Sequence, residues 1–232
     1  LLANDWPVGS SLSADFQTQG RGRYDRKWIN SSELMACSWK IEKPIEMPPP
    51  ILQIICGYLV QQSLQSIDGF SNDSQLILKW PNDLIILKGK KYGKVSGILV
   101  ESVSKGKITH TVVGIGINIS NNNINPNEKF PIAYTNWFSS SATAEYFHKQ
   151  IHCRIAGLFE SIEGIPNTNF EYVKSMALTA IKDGFTSSKS LFYRNKDVTF
   201  VSINDDGTVS LRHEDGTQIS CDEGEQLDWL FL

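Results

Sequence analysis

Along residues 11–17 apolar and polar positions alternate, with Leu12, Ala14 and Phe16 on one side and Ser13, Asp15 and Gln17 on the other. A period of two predicts a strand. Before it, Leu1, Leu2 and Ala3 read as the end of a helix broken by Asn4, Pro7 and Gly9. Residues 34–41 are almost continuously apolar and predict a buried strand. Pro44 and the run 48–50 mark a loop, and Pro50 suits the first turn of a helix over 51–67. In that helix Ile51, Ile54, Ile55, Tyr58, Leu59 and Leu64 share a face. The polar stretch 68–73 then leads into another strand at Ile77 and Leu78.

The chain is organised around residues 78–118. Leu78 leads into Lys79-Trp80-Pro81-Asn82-Asp83, and Leu84 to Leu87 lead out as a second apolar strand. Pro81 fixes its own φ and drives Trp80 towards an extended backbone. Asn82 and Asp83 after it predict a turn. Gly89 and Gly93 permit a tight turn before the buried strand 95–100, and Lys105-Gly106 predicts a hairpin into 107–119. Gly114 and Gly116 inside that strand imply close approach of a ligand or another backbone. The Asn-rich run 121–127 reads as a loop.

Further on, Phe147, Ile151, Ile155, Leu158 and Ile162 recur at helical spacing and predict an amphipathic helix over 143–162. Residues 170–178 predict a shorter one. The tail changes period. Val198 and Phe200 alternate in one phase and Val201 and Ile203 in the other, a sign of a bulge or of a strand buried on both faces. Asp205-Asp206-Gly207 and Asp215-Gly216 are hairpin turns. About four short strands there read as a small β-barrel or meander docked on the larger unit.

Composition narrows the function classes. With 41% apolar residues the 232-residue chain can bury a sizeable core, and its net charge of −3 argues against a general nucleic-acid binder. No apolar run reaches the ~20 residues of a membrane span. Cys37, Cys56, Cys153 and Cys221 lack CxxC spacing, so a zinc site is not expected and reduced thiols in the cytoplasm are. The N-x-[ST] matches at Asn30, Asn72 and Asn118 read as chance. His148 and His152 have the spacing of a zincin pair, but Lys149 stands where the glutamate belongs.

Two stretches carry candidate chemistry. Residues 19–28 place Arg21, Arg23, Arg26 and Lys27 around Gly20 and Gly22, with Tyr24 and Trp28 between them. This is either a solvated basic loop or a loop that a phosphate or carboxylate orders through charge-assisted hydrogen bonds. It completes neither a Walker loop nor a GxGxxG fingerprint. The Lys79–Asp83 turn combines a cation, an indole, an amide and a carboxylate at a strand end, a set suited to a nucleotide and a metal ion. The alternative is an ordinary strand-to-loop junction. Lys94, at the mouth of a buried strand, suits an anion, and Asn118 ends the following strand.

Taken together, Gly20-Arg21-Gly22-Arg23, Trp28, Lys79-Trp80-Pro81-Asn82-Asp83-Leu84, Lys94-x-x-Gly97-Ile98-Leu99-Val100-Glu101 and Gly114-Ile115-Gly116-Ile117-Asn118 resemble biotin protein ligases in order and spacing. The resemblance implies an α+β fold: a mixed β-sheet flanked by helices, shared with lipoate ligases, over residues 1–185. A small SH3-like C-terminal β-domain would follow over 186–232. It implies activation of biotin by ATP to biotinyl-5′-AMP, then transfer to a lysine of a carboxylase carrier domain. Arg23 and Lys94 would be catalytic. Gln17, Gly20, Arg21, Arg23, Lys94 and Gly97 would bind biotin; Arg23, Trp28, Lys79, Asn82 and Asn118 the nucleotide; Asp83 a Mg²⁺ ion. A homodimer is compatible with the family.

Three departures stand out. Tyr24-Asp25 replaces the further Arg and Gly of many relatives, which puts retention of the intermediate in question. The Ser-Thr-Asn segment that usually precedes this region would fall before Leu1. No helix-turn-helix precedes the motif, so operator binding is not expected. Two rivals remain: a lipoate or octanoate ligase-like enzyme, whose Arg-Arg-x-Ser-Gly-Gly-type motif is missing, and a catalytically inactive biotin-binding module.

Overall fold

The computed structural model describes residues 6–28, 33–41, 47–70, 73–105, 108–120, 131–139, 141, 143–159 and 170–231. The expected helix end at 1–4, the loop at Pro44, Gly106 of the long hairpin, the Asn-rich run 121–127 and Ile162 lie outside these residues.

Six strands form the main sheet: β1 (Ser11–Ala14), β2 (Glu33–Ile41), β3 (Ser74–Lys79), β4 (Asp83–Lys88), β5 (Lys91–Lys105) and β6 (Ile108–Ser120). Their order is β1-β2-β6-β5-β4-β3. Every strand pair in it is antiparallel, because short hairpins join β3 to β4 to β5 to β6. Among the described residues the parallel element is the bridge from Lys94 to Ile132, and in place of the expected mixed sheet every pair of named strands is antiparallel. β1 is shorter than its alternation implies, and Leu12 and Phe16 stand exposed, so no core among the described residues covers its apolar side.

Three helices follow the pattern of the sequence with two differences. Helix α1 (Pro49–Gln65) starts on a proline whose missing N–H costs nothing in a first turn. It is buried almost all round, including Leu52, Cys56 and Val60 off the expected face, because it packs on β3 and β5 while α2 and α3 flank it. Helix α2 (Ala144–Phe159) buries Phe147, Ile151, Ile155 and Leu158 as expected. Helix α3 (Phe170–Ser187) is longer than expected and outruns α2. Together they cover the sheet face that carries Met35, Trp39, Val113 and Ile117. Gly184 lets α3 lie directly on the Leu78 carbonyl, where any Cβ would collide.

The tail forms five strands rather than four: β7 (Ser190–Tyr193), β8 (Lys196–Ile203), β9 (Val209–His213), β10 (Gln218–Cys221) and β11 (Leu227–Leu230). Their order is β10-β9-β8-β7-β11, an open meander, with no closure from β10 to β11 among the described residues. The phase change in the sequence is a register shift between Phe200 and Ser202. Gly207 and Gly216 take the positive φ their turns require.

This second sheet docks tightly. The Trp80 indole N–H donates to the Gly207 carbonyl at 3.0 Å, and Phe185 of α3 stacks on Phe200 with ring centroids 4.1 Å apart. Trp80 is 1% exposed. It therefore serves as a docking residue and offers no stacking surface to a ligand.

The two histidines of α2 are spoken for by Trp39. The Trp39 indole N–H donates to His152 Nδ1 at 3.2 Å, and the Trp39 ring stacks on His148. Burial, with a smaller push from His152, holds the His148 imidazole below its ordinary 6.5. The folded protein thus binds that proton less readily than the unfolded chain. Its stability contribution is whole above pH 6.5 and is lost as pH falls through the folded value. The melting temperature is expected to fall more steeply below about pH 6.5 in the native protein than in His148→Gln. Equal slopes in the two would remove His148 from the pH response.

Candidate active site

The site is built on the sheet face opposite the helices, and its floor is glycine. Antiparallel pairing sets Gly97 of β5 opposite Gly116 of β6, and Leu99 opposite Gly114. The Trp28 indole lies directly on this floor. A Cβ at Gly116 would stand 2.6 Å from Trp28 Cζ2, and one at Gly97 would stand 2.8 Å from Cζ3. Above Gly114 the nearest groups are the Leu99 carbonyl and Ser38 Oγ, at 3.6 and 3.8 Å from such a Cβ. Trp28 therefore divides a bare, largely apolar region at Gly114 from a charged one beyond it.

The charged region hangs on the β3–β4 turn. Residues 80–82 close that hairpin, the Trp80–Pro81 bond is cis, and Asp83 opens β4 opposite both Lys79 and Gly97. A register shift after Leu84 adds Val95 to β5 as an extra residue and re-aims its neighbour Lys94. The Lys94 backbone is fixed by its N–H to the Pro131 carbonyl at 2.7 Å and by the Asn118 amide to its own carbonyl at 3.2 Å. Its ammonium then sits 2.6 Å from Asp83 Oδ1 and 5.2 Å from the Trp28 ring centre.

The electrostatics follow from this crowding. Burial pushes the Asp83 carboxyl up, but Lys94 and Lys79 outweigh it and hold the group below the usual carboxylate range. Burial lowers Lys79, and Asp83 partly offsets that. Lys79 also lies over the Trp229 ring, 5.5 Å from its centre. Asp83 is thus kept ionised between two cations.

The arginine loop forms the roof. Its ends are tied by Trp28 N–H to the Gly20 carbonyl at 2.9 Å and by a bridge between Arg21 and Lys27. Arg21 pairs with Glu101 of β5 at 3.2 Å, and Arg26 pairs with Glu225 of the second sheet. Tyr24 takes φ 55°, a left-handed backbone uncommon for a residue with a side chain, and its hydroxyl accepts from Arg23 Nη2 at 3.1 Å.

Floor, turn, roof and second sheet enclose a cavity of about 700 Å³, within the usual range for a small-molecule site. Arg23 Nη1, Trp28 Nε1 and Trp229 Nε1 are buried with no hydrogen-bond partner. Buried donors without a partner at the walls of one cavity suit hydrogen-bond acceptors on a ligand.

Of the residues expected from the sequence, Gln17, Arg21, Arg23, Trp28, Lys79, Asn82, Asp83, Lys94, Gly97 and Asn118 all line this cavity. Gly20 does not. It is buried in the loop, where a Cβ would meet Gln17 Oε1 at 2.9 Å and Trp28 Cβ at 3.0 Å. Asn82 spends its amide on the Ile98 carbonyl at 3.0 Å, which leaves it clamping β5 as well as lining the site.

Sequence reasoning missed Ser38, Glu225, Asp228 and Trp229, which also line the cavity. Ser38 had a signal, as the hydroxyl next to Trp39 on the opposite face of an apolar strand. The other three had none, since only docking of the second sheet brings them in.

The model of the biotin/lipoate A/B protein ligase family matches residues 1–118, half of the chain. This chain belongs to the biotin/lipoate A/B protein ligase family. The matched residues carry β1 to β5 and β6 as far as Asn118, and so the floor, roof and turn of the site are this ligase family's own region of the chain. The bifunctional ligase/repressor BirA of Bacillus subtilis is 35% identical over 135 residues, 56% of this chain and 38% of that protein. The biotin–protein ligase of Schizosaccharomyces pombe is 29% identical over 126 residues, 49% of this chain and 20% of that protein. The chain thus spans well under half the length of these curated relatives. In fold it is similar to the biotin protein ligase from Aquifex aeolicus solved with biotin and ATP, with a TM-score of 0.70 at 24% identity over 98% of this chain and 92% of that one.

Proposed function

We propose that the protein is a biotin protein ligase that forms biotinyl-5′-AMP from biotin and ATP and passes the biotinyl group to a lysine of a carboxylase carrier domain. The observation that carries this reading is Lys94, held 2.6 Å from Asp83 above the Gly97 floor and beside Trp28. Biotin's carboxylate and the α-phosphate of ATP are both anions, and their approach needs fixed positive charge. Lys94 and Arg23 supply it, and the orphaned Arg23 Nη1 is free for an anionic oxygen. The carboxylate oxygen attacks phosphorus, the bond to the β-phosphate oxygen breaks, and pyrophosphate leaves. The acceptor lysine amine then attacks the mixed anhydride and releases AMP.

The bare floor at Gly114, with Leu99, Val112 and Ser38, suits the ring system of biotin, with Gln17, Arg21 and Gly97 nearby. Gly20 acts there through the loop's backbone. Lys79 and Asn82 face the phosphates, Asn118 the nucleotide, and Trp28 the boundary between the two substrates. A closed roof keeps water from the adenylate. Asp83 would supply a carboxylate oxygen to a Mg²⁺ ion in competition with Lys94, 2.6 Å away, and with Lys79; such an ion takes one or two carboxylates and completes its shell with phosphates and water. Such an ion would neutralise triphosphate charge. The second sheet, over roughly 186–232, reads as an SH3-like domain on the basis of its short meander strands, beginning at the last turn of α3. Four unpaired thiols, three of them buried, favour a reducing compartment such as the cytoplasm.

The test is AMP and pyrophosphate formation by the full natural protein with Mg-ATP and an acceptor domain. Biotin, lipoate and octanoate are assayed in parallel. Turnover with biotin alone is expected. Tight biotin binding without AMP would make the protein a binder, and turnover with lipoate would replace the substrate.

A further inference from the structure

Among the described residues, the second sheet reaches into the arginine loop at the Arg26–Glu225 pair. Arg26 is the loop's own hub. Its carbonyl accepts from Gly22 N–H at 2.7 Å, its N–H donates to the Arg23 carbonyl at 3.3 Å, and its Nε donates to that carbonyl at 3.4 Å. Whatever fixes the Arg26 guanidinium therefore fixes Arg23 and, through the closed loop, Trp28. Glu225 is itself indexed to the site. It sits in the short turn Gly224–Gln226, and Gly224 packs on the Pro81 ring so closely that no Cβ fits between. Gln226 adds a second hold on that turn, accepting from Arg194 Nε at 2.7 Å. The remaining oxygen, Glu225 Oε2, is buried without a partner, so the carboxylate has Arg26 as its one hydrogen-bonded cation among the described residues.

We infer that Glu225 is a positioning residue: it latches the arginine loop shut through Arg26, and so sets Arg23 and Trp28 over the site without touching the substrates. The pair is exposed on the Arg26 side and adds little to global stability. Its effect is on the fraction of molecules with the roof closed, and apparent affinity scales with that fraction. The consequence for catalysis rests on the ligase reading; the latch itself does not.

The test uses Glu225→Gln, Glu225→Arg, Arg26→Glu and the double exchange Arg26→Glu/Glu225→Arg. Hydrogen exchange of residues 20–28 is measured by mass spectrometry on the ligand-free full protein. All three single variants are expected to exchange the loop faster, with the double exchange returning towards the native rate. Salt should speed exchange in the native protein and not in Glu225→Gln. In the biotin-dependent assay Glu225→Gln should raise KM by about three- to fivefold with a smaller change in kcat, and should release adenylate faster. Unchanged loop exchange in the single variants, or no recovery in the double exchange, would overturn the latch. If the native protein makes no AMP from biotin, the ligase reading fails, while the exchange data still decide the latch.

Discussion

Replacing Lys94 by alanine is expected to cut biotin-dependent AMP formation by about 10²–10³-fold, the usual cost of removing one charge donor aimed at a reacting anion. The ammonium is the natural candidate for that role because its neighbours hold it still. A bulge re-aims it, Asn118 and Pro131 fix its backbone, and Asp83 sets its tip. Loss of Lys94 also leaves the buried Asp83 carboxylate with Lys79 as its chief counter-charge, which disturbs the turn as well as the chemistry. Lys94→Met keeps the apolar stem over Gly97, and its melting temperature reads how far loss of the Asp83 counter-charge alone disturbs the turn. Melting temperature and pyrophosphate release are measured on both variants. A folded Lys94→Met that still turns over at a native rate would reduce Lys94 to the counter-ion of Asp83.

Trp80→Ala is expected to destabilise the protein by about 3–5 kcal/mol, as for other fully buried large aromatics. That corresponds to a fall of roughly 10 °C in melting temperature for a chain of this size. Trp80 lies within the most specific motif of the sequence, yet its ring is closed off from solvent and its N–H is spent on Gly207 of the second sheet. Trp80→Phe keeps most of the packing and leaves the Gly207 carbonyl without its donor, for a loss of about 1–3 kcal/mol. Neither variant should weaken nucleotide binding beyond what instability explains. If Trp80→Phe melts like the native protein but binds ATP about tenfold more weakly, the indole faces the ligand after all.

Strongly periodic or motif-bearing elements were legible without coordinates. The strand 34–41, the hairpin around Pro81, the face of α2 and the phase change at Val201 all follow from local pattern, because each is decided by neighbours within a few residues. The extent of α3, the exposed side of β1 and the burial of α1 on nearly every side were not, because packing between distant elements overrides local periodicity there.

By itself the sequence determined which chemistry is present: a glycine floor, an arginine-rich loop, and a Lys-Trp-Pro-Asn-Asp turn in a family order. Only the tertiary structure decided how these parts are used. Strand register sets Gly97 opposite Gly116, and so decides where Trp28 can rest. Docking of the second sheet turns Trp80 from an apparent ligand platform into a joint between the two sheets, and brings Glu225 and Trp229 to a site more than a hundred residues away in sequence. Such contacts join residues with no local relation to one another, so no periodicity or spacing along the chain encodes them; they arise when two separately patterned surfaces bury each other's apolar area.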